Sequence, residues 1–136
     1  MSKIWHKQYD AGVPADVDVT KYSSINELLE VGFNKFRRLP AFHCMGTTLT
    51  YDQIDTLSRK FASYLQNDLK LQKGDRVAIM LPNILQYPVA LFGALRAGMV
   101  VVNVNPLYTA RELEHQLKDS GAKAIVIFSN SACVLE

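Results

Sequence analysis

Between Arg76 and Phe128 three short β-branched runs alternate with two helix-like segments, each closed by a glycine. That β-α-β-α-β order restricts this part of the chain to a parallel sheet covered by helices. The runs occupy residues 76–81, 100–104 and 124–128, spaced by a little less than the roughly 30 residues of one βαβ unit. They are nearly continuously apolar, which suits strands buried on both faces.

Residues 84–97 predict the first crossover helix, with Leu85, Leu91, Phe92 and Leu95 near helical spacing and Gly98 as its C-terminal stop. Pro88 removes a backbone donor, so the helix is either entered just before it or kinked there. The second crossover opens on a capping box, Thr109 with Glu112, and shows Ala110, Leu113 and Leu117 on one face before Gly121 closes it. Glu114 and Lys118 are spaced to pair on its exposed side.

Upstream, Ser24 and Glu27 predict a capping box for a helix with Ile25, Leu28, Leu29, Phe33 and Phe36 on one side, weakened by Gly32. Thr50 and Gln53 do the same for a second helix that buries Ile54, Leu57, Phe61 and Leu65 and keeps an Asp55–Arg59 pair outside. Between them Pro40 breaks the chain, and residues 41–44 and 47–49 flank Met45-Gly46 as a small hairpin. The expected fold class is therefore α/β: a βαβαβ parallel sheet flanked by helices, preceded by an irregular arm and a small hairpin.

The arm, residues 1–23, has no periodicity and carries Trp5, Tyr9, Val13, Pro14 and Tyr22 in a polar background. Such a segment must dock to be ordered. Trp5 and Tyr9 either pin it to its own domain or pack on a partner subunit or a later part of the same chain. Repeats and low-complexity tracts are absent, and the segment before Asp10 lacks the apolar core of a signal peptide. The most apolar window, residues 89–104, contains Arg96 and two glycines and falls short of the roughly 20 residues that span a bilayer.

Half of the 136 residues are apolar and the formal net charge is only +2. Its basic residues are scattered, which excludes the charged stripe of a nucleic-acid binder. Cys44 and Cys133 match no metal or redox spacing and are read as small buried hydrophobes of a reducing compartment.

Catalytic chemistry is nearly missing. Gly46-Thr47-Thr48 is followed by no second glycine or lysine, and no long helix begins where a phosphate loop needs one. The Gly93–Gly98 pair lies in and after a helix, where close packing explains it better than a dinucleotide fingerprint. His6, His43 and His115 are dispersed, and His115 is read as solvated, with Glu112 and Glu114 beside it in sequence but facing other sides. Residues 73–76 read as a turn with solvated charges. Asn83, Asn103 and Asn105 cluster at the carboxyl ends of the first two strands, where α/β sheets place ligands, but serve equally as caps and turn formers. No catalytic, cofactor-binding or metal residue is assigned.

Several strings nevertheless resemble the N-terminal part of the adenylate-forming enzyme superfamily: residues 73–83, Lys-Gly-Asp-Arg-Val-Ala-Ile-Met-Leu-Pro-Asn; Arg96-Ala97-Gly98; and residues 101–109, ending Asn105-Pro106-Leu107-Tyr108-Thr109. Residues 86–92 and 111–117, with Trp5, Tyr9 and Val13-Pro14, resemble its bacterial long-chain fatty-acid CoA ligase branch. The likeness covers essentially the whole chain. It implies a parent enzyme that activates a fatty acid with ATP and magnesium as an acyl-adenylate, releasing pyrophosphate, and then transfers the acyl group to coenzyme A. The Ser/Thr/Gly-rich phosphate loop and the lysines of such enzymes do not occur in residues 1–136. The resemblance therefore implies an irregular arm, 1–23, and a partial N-terminal domain, 24–136, truncated at its C-terminus and inactive alone.

As partners the resemblance implies the remainder of the chain, fatty acid and coenzyme A for the parent, a homodimer through the arm as an option, and no nucleic acid. It implies a cytoplasmic location with peripheral inner-membrane contact left open. A stand-alone dimerising or regulatory module, and a ligase for aromatic or short-chain acids, are the alternatives.

Overall fold

A computed structural model describes residues 3–135 of the chain. Four α-helices and five strands follow the expected order: α1 (Ile25–Phe36), β1 (Pro40–Cys44), β2 (Thr47–Thr50), α2 (Tyr51–Asn67), β3 (Arg76–Met80), α3 (Gln86–Arg96), β4 (Val100–Asn103), α4 (Ala110–Ser120) and β5 (Ala124–Ile127). Short 3-10 helices lie at Ile4–Gln8 and Ser129–Leu135. β1 and β2 form the antiparallel hairpin; the other three strands are parallel in the order β4-β3-β5.

The strand order follows from the crossovers. The first steps from β3 to β4 with α3 on the face of Val77 and Ile79; the second returns across β3 to β5 with α4 on the face of Ala78 and Met80. Crossovers of one hand running in opposite directions must lie on opposite faces. β3 is thereby buried on both faces, Val77 through Met80 being at most 1% exposed, while β4 and β5 are the sheet's edges and only half-buried.

The two faces differ in cover. On the α3 side, α2 lies against α3 and fully buries Ile54 and Leu65, each worth about 1.5–3 kcal/mol. Between them the buried stripe of α2 runs through Ser58 and Ala62, not through Leu57, which is exposed, or Phe61, which is half-buried. The facing stripe of α3 is likewise Ala90, Gly93 and Ala94; Leu85, Leu91, Phe92 and Leu95 stand at its margins. Small residues win at the crossing because they let the backbones approach. A Cβ on Gly93 would lie 2.8 Å from Phe61 Cδ1 and 2.9 Å from the Ser58 carbonyl oxygen. On the other face α4 buries only Leu113 fully, with Leu117 half-buried and Ala110 exposed.

Helix termini show how closely local sequence rules held. Thr50 with Gln53, and Thr109 with Glu112, form complete capping boxes. Ser24 accepts the Glu27 N–H at 3.1 Å, but the Glu27 carboxylate turns to the N–H and hydroxyl of Ser23, at 2.7 and 2.6 Å, so the box is displaced by one residue. Pro88 stands in the first turn of α3, where its missing donor leaves no bond unmade. The hairpin closes without Asn-Gly because both turn residues, Met45 at φ +48° and Gly46 at φ +79°, take the left-handed region that a type I′ turn requires.

The Asp55–Arg59 pair does not stand alone. Arg96, with only 13% of its side chain exposed, bonds Asp55 at 2.7 Å and also Glu30, and Arg59 bonds Glu30 at 2.8 Å. Its guanidinium lies 5.4 Å over the Phe33 ring. This network ties α1 to α2 and α3, and α1 otherwise buries only Phe33; Ile25, Leu28 and Phe36 of its expected apolar face remain exposed.

The arm folds on itself through a Lys3–Asp16 ion pair and a cluster in which His6 contacts both Trp5 and Tyr9. Trp5 and Tyr9, 55% and 42% exposed, pack on His6. Cys133 is exposed and Cys44 half-buried, correcting the reading of both as core residues. Cys133 falls in the surface 3-10 helix, and Cys44 ends an edge strand. Among the described residues no helix is long and apolar enough to cross a membrane.

Alanine at two glycines should act in opposite directions. Gly93→Ala meets backbone as well as side chain and is expected to destabilise by about 1–3 kcal/mol, whereas Gly32→Ala, with nothing within 4 Å of the new Cβ, should stabilise by up to about 1 kcal/mol. Urea denaturation of the two variants checks this; a neutral Gly93→Ala would show that the helices are not in close contact.

The charges of the turn at residues 73–76 are not all solvated. Asp75 accepts from Lys123 Nζ at 2.7 Å and from the Gln72 N–H at 2.8 Å, which hold its carboxyl below the ordinary 3.8. The Thr109 N–H and hydroxyl hold Glu112 below 4.5. A carboxylate with a lower pKa in the fold than in the unfolded chain adds stability that is complete above the unfolded value and lost as pH falls through the folded one. Tm should therefore be level above about pH 5 and fall on acidification below about pH 4.5. Asp75→Asn should make the acid limb shallower, and an unchanged limb would contradict the assignment.

Candidate functional site

Open α/β sheets place ligands beyond the carboxyl ends of their strands, at the point where successive crossovers leave in opposite directions. Here that point lies between β3 and β5, because β3 steps outward to β4 and the chain then returns past it. Two elements border it: the β3–α3 loop with Asn83, Ile84 and Leu85, and Phe128 just after β5. The β1–β2 hairpin leans over them. Together they enclose two shallow apolar grooves, one of about 270 Å³ that includes Phe42, Cys44, Ile84 and Pro88, and one of about 340 Å³ that includes Met45, Leu85 and Phe128.

Several polar groups near these grooves have structural partners. His43 Nδ1 lies 2.7 Å from Thr48 Oγ1 across the hairpin. Cys44 Sγ donates to the Asn83 carbonyl oxygen at 3.6 Å. The Tyr87 hydroxyl donates to Asn103 Oδ1 at 2.9 Å, and Gln116 Nε2 donates to the Asn103 carbonyl at 3.0 Å. Asn105 Oδ1 takes the Leu107 N–H at 3.0 Å and shapes the turn into α4. The three asparagines are thus at the carboxyl ends as expected; the side chains of Asn103 and Asn105 join loop, strand and helix, whereas Asn83 is met only at its backbone carbonyl.

His115 is exposed, as the sequence reading has it, but Glu112 shares its side of the helix. Glu112, His115 and Asp119, three and four residues apart, line one open concavity of about 650 Å³ on the outside of α4, together with Tyr108 and Arg111. Glu114 alone turns away, to Lys118. Glu112 is committed to the N-terminus of α4, and the bonds that lower its pKa make it a poor proton acceptor near neutrality. Gly46 lies in the hairpin turn, and Thr47 and Thr48 begin its return strand.

An ATP–magnesium complex needs anion-binding N–H groups or cations for the phosphates and carboxylates for the metal. Among the described residues no three His, Cys, Asp or Glu side chains are grouped to hold a metal ion. Arg59 and Arg96 are held by Glu30 and Asp55. No step through that complex is derived from residues 3–135. Sequence reasoning missed the hairpin as a wall of the grooves, since no local signal states where a hairpin leans, and it missed Arg96, whose partners lie 41 and 66 residues away.

Residues 29–135 match the AMP-binding enzyme family. The long-chain-fatty-acid–CoA ligase of Yersinia pestis is 60% identical over 136 residues, which is 100% of this chain and 24% of that one. 4-coumarate–CoA ligase 1 of Petroselinum crispum is 42% identical over 91 residues, 67% of this chain and 16% of its own. The solved structure of a Mycobacterium tuberculosis fatty acyl CoA synthetase superposes with a TM-score of 0.75 at 32% identity, covering 82% of this chain and 22% of that one. The chain thus spans about a quarter of the length of the curated relatives it matches most fully. With the family matched over most of its residues and the βαβαβ lobe shared with solved members, the chain belongs to the AMP-binding enzyme family.

Proposed function

We propose that this chain is the N-terminal portion of an ATP-dependent long-chain fatty-acid CoA ligase, which converts a fatty acid, ATP and coenzyme A into acyl-CoA, AMP and pyrophosphate with magnesium. The observation that carries the reading is identity of 54–60% over all 136 residues with bacterial enzymes of that name. Identity to the 4-coumarate ligase is lower and reaches only two thirds of the chain, which supports a fatty acid over an aromatic acid.

In this reading residues 1–23 are an arm and 24–136 part of the enzyme's N-terminal domain, a framework on which the remainder of the polypeptide assembles the nucleotide and acyl sites. The hydrogen bonds of Tyr87, Gln116 and Asn105 at the carboxyl ends support it, since they brace loop, strand and helix. The exposed Trp5 and Tyr9 give the arm apolar surface for a second subunit or for a later part of the chain. A cytoplasmic parent, with peripheral contact to the inner membrane, belongs to the same proposal.

The full-length gene product tests the assignment. It is expected to form a CoA thioester from palmitate, dependent on ATP and magnesium, and to prefer palmitate to benzoate, 4-coumarate or acetate. Use of an aromatic or short-chain acid with palmitate ignored would overturn the substrate class. A gene that stops after residue 136 would overturn the whole reading in favour of a stand-alone module.

A further inference from the structure

Four methionines occur in the chain, and the three that the structure describes differ sharply in their surroundings. Met80 is fully buried in β3 and Met99, just before β4, is 4% exposed; Met80 lies in the core cluster of Leu113 and Met99 in that of Leu65. Met45, at the tip of the β1–β2 hairpin, is 94% exposed. It is also an unexpected residue for its place. As a central residue of the type I′ turn it takes φ +48°, a conformation that crowds the Cβ of an L residue and that hairpins ordinarily give to Asn, Asp or Gly. Nearly all of the side chain is in solvent, so little burial offsets that strain.

A residue that breaks a local rule with so little packing gain is explained better by its chemistry than by its shape. The chemistry particular to methionine is that of a soft, oxidisable thioether. Here the thioether stands where a change of polarity matters, since Met45 borders, with Leu85 and Phe128, the apolar groove of about 340 Å³ at the carboxyl ends of the strands. The neighbouring Cys44 thiol is half-buried and donates to the Asn83 carbonyl oxygen. Met45 therefore presents the open sulfur of the hairpin.

We infer that Met45 is a site of reversible oxidation that takes hydrogen peroxide as its oxidant. A sulfur lone pair attacks one peroxide oxygen, the O–O bond breaks and an S=O bond forms; the second oxygen leaves as hydroxide and takes up the proton of the first, giving water. Sulfur is oxidised by two electrons and the peroxide is reduced by two. A thiol-driven methionine sulfoxide reductase reverses the change: two thiols become a disulfide, and the sulfoxide oxygen leaves as water. The product is a polar group on the rim of an apolar groove. Because the side chain is in solvent, its oxidation removes little packing and the hairpin stays folded. Met80 and Met99 react only when the core opens. The inference stands apart from the ligase assignment, since it rests on the hairpin alone.

Treatment of the full-length gene product with dilute hydrogen peroxide, followed by peptide mass mapping, tests this and reads each sulfur separately, Cys44 and Cys133 included. Met45 should gain one oxygen at least about tenfold faster than Met80 and Met99. Incubation with methionine sulfoxide reductases and dithiothreitol should remove it. Protein oxidised at Met45 alone should keep its Tm within about 2 °C, the shift of a change that costs little packing. A rate advantage below about tenfold would overturn the inference, because the hairpin tip would then be covered by the remainder of the chain or by a second copy. A sulfoxide that the reductases leave in place, or a larger fall in Tm, would overturn it as well, since either would put the sulfur in a packed contact.

Discussion

The contact on which the rest of the structure depends is the approach of α3 to α2 at Gly93. Phe61 and the Ser58 carbonyl occupy the space that any side chain at that position would need. Because the two helices can close there, Ile54 and Leu65 reach full burial and a two-helix layer seals one face of β3. That layer also brings Arg96 to Glu30 and Asp55, so the position of α1 follows from it. Helix packing at native density is set by shape more than by the amount of apolar surface. A stripe of Ser, Ala and Gly accordingly does more here than the larger residues at its margins.

The opposite face has no comparable layer. α4 covers it with one fully buried residue, and the 3-10 helix after β5 adds Val134. This asymmetry agrees with a lobe that is one part of a larger assembly, with one face finished internally and the other, together with the β5 edge and the outer side of α1, offering apolar surface. The grooves at the carboxyl ends fit the same view. Their polar neighbours tie the hairpin to the β3–α3 loop and β4 to α3 and α4.

Much of this was legible in the residues. Glycine-closed alternation of β-branched runs and helical segments read out β3 to β5 within a residue or two, and the Thr50 and Thr109 boxes located α2 and α4, because those signals are local. Buried faces were less legible. Leu57, Phe61, Leu91 and Leu95 are the more hydrophobic residues, yet the crossing selects Ser58, Ala62 and Gly93, and only the partner helix decides that. Asp75 looked solvated and Arg96 was given no role, because their partners are distant in sequence. At the candidate site, Asn83, Asn103 and Asn105 were correctly placed at the strand ends, but whether each holds a ligand or a loop depends on Tyr87, Cys44 and Gln116, which no spacing rule links to them.

The central claim, that these residues build framework and not the nucleotide site, is tested most directly by calorimetric titration of ATP with magnesium into the 136-residue chain. The account predicts no saturable binding at submillimolar concentrations. A submillimolar dissociation constant with one site per chain would contradict it.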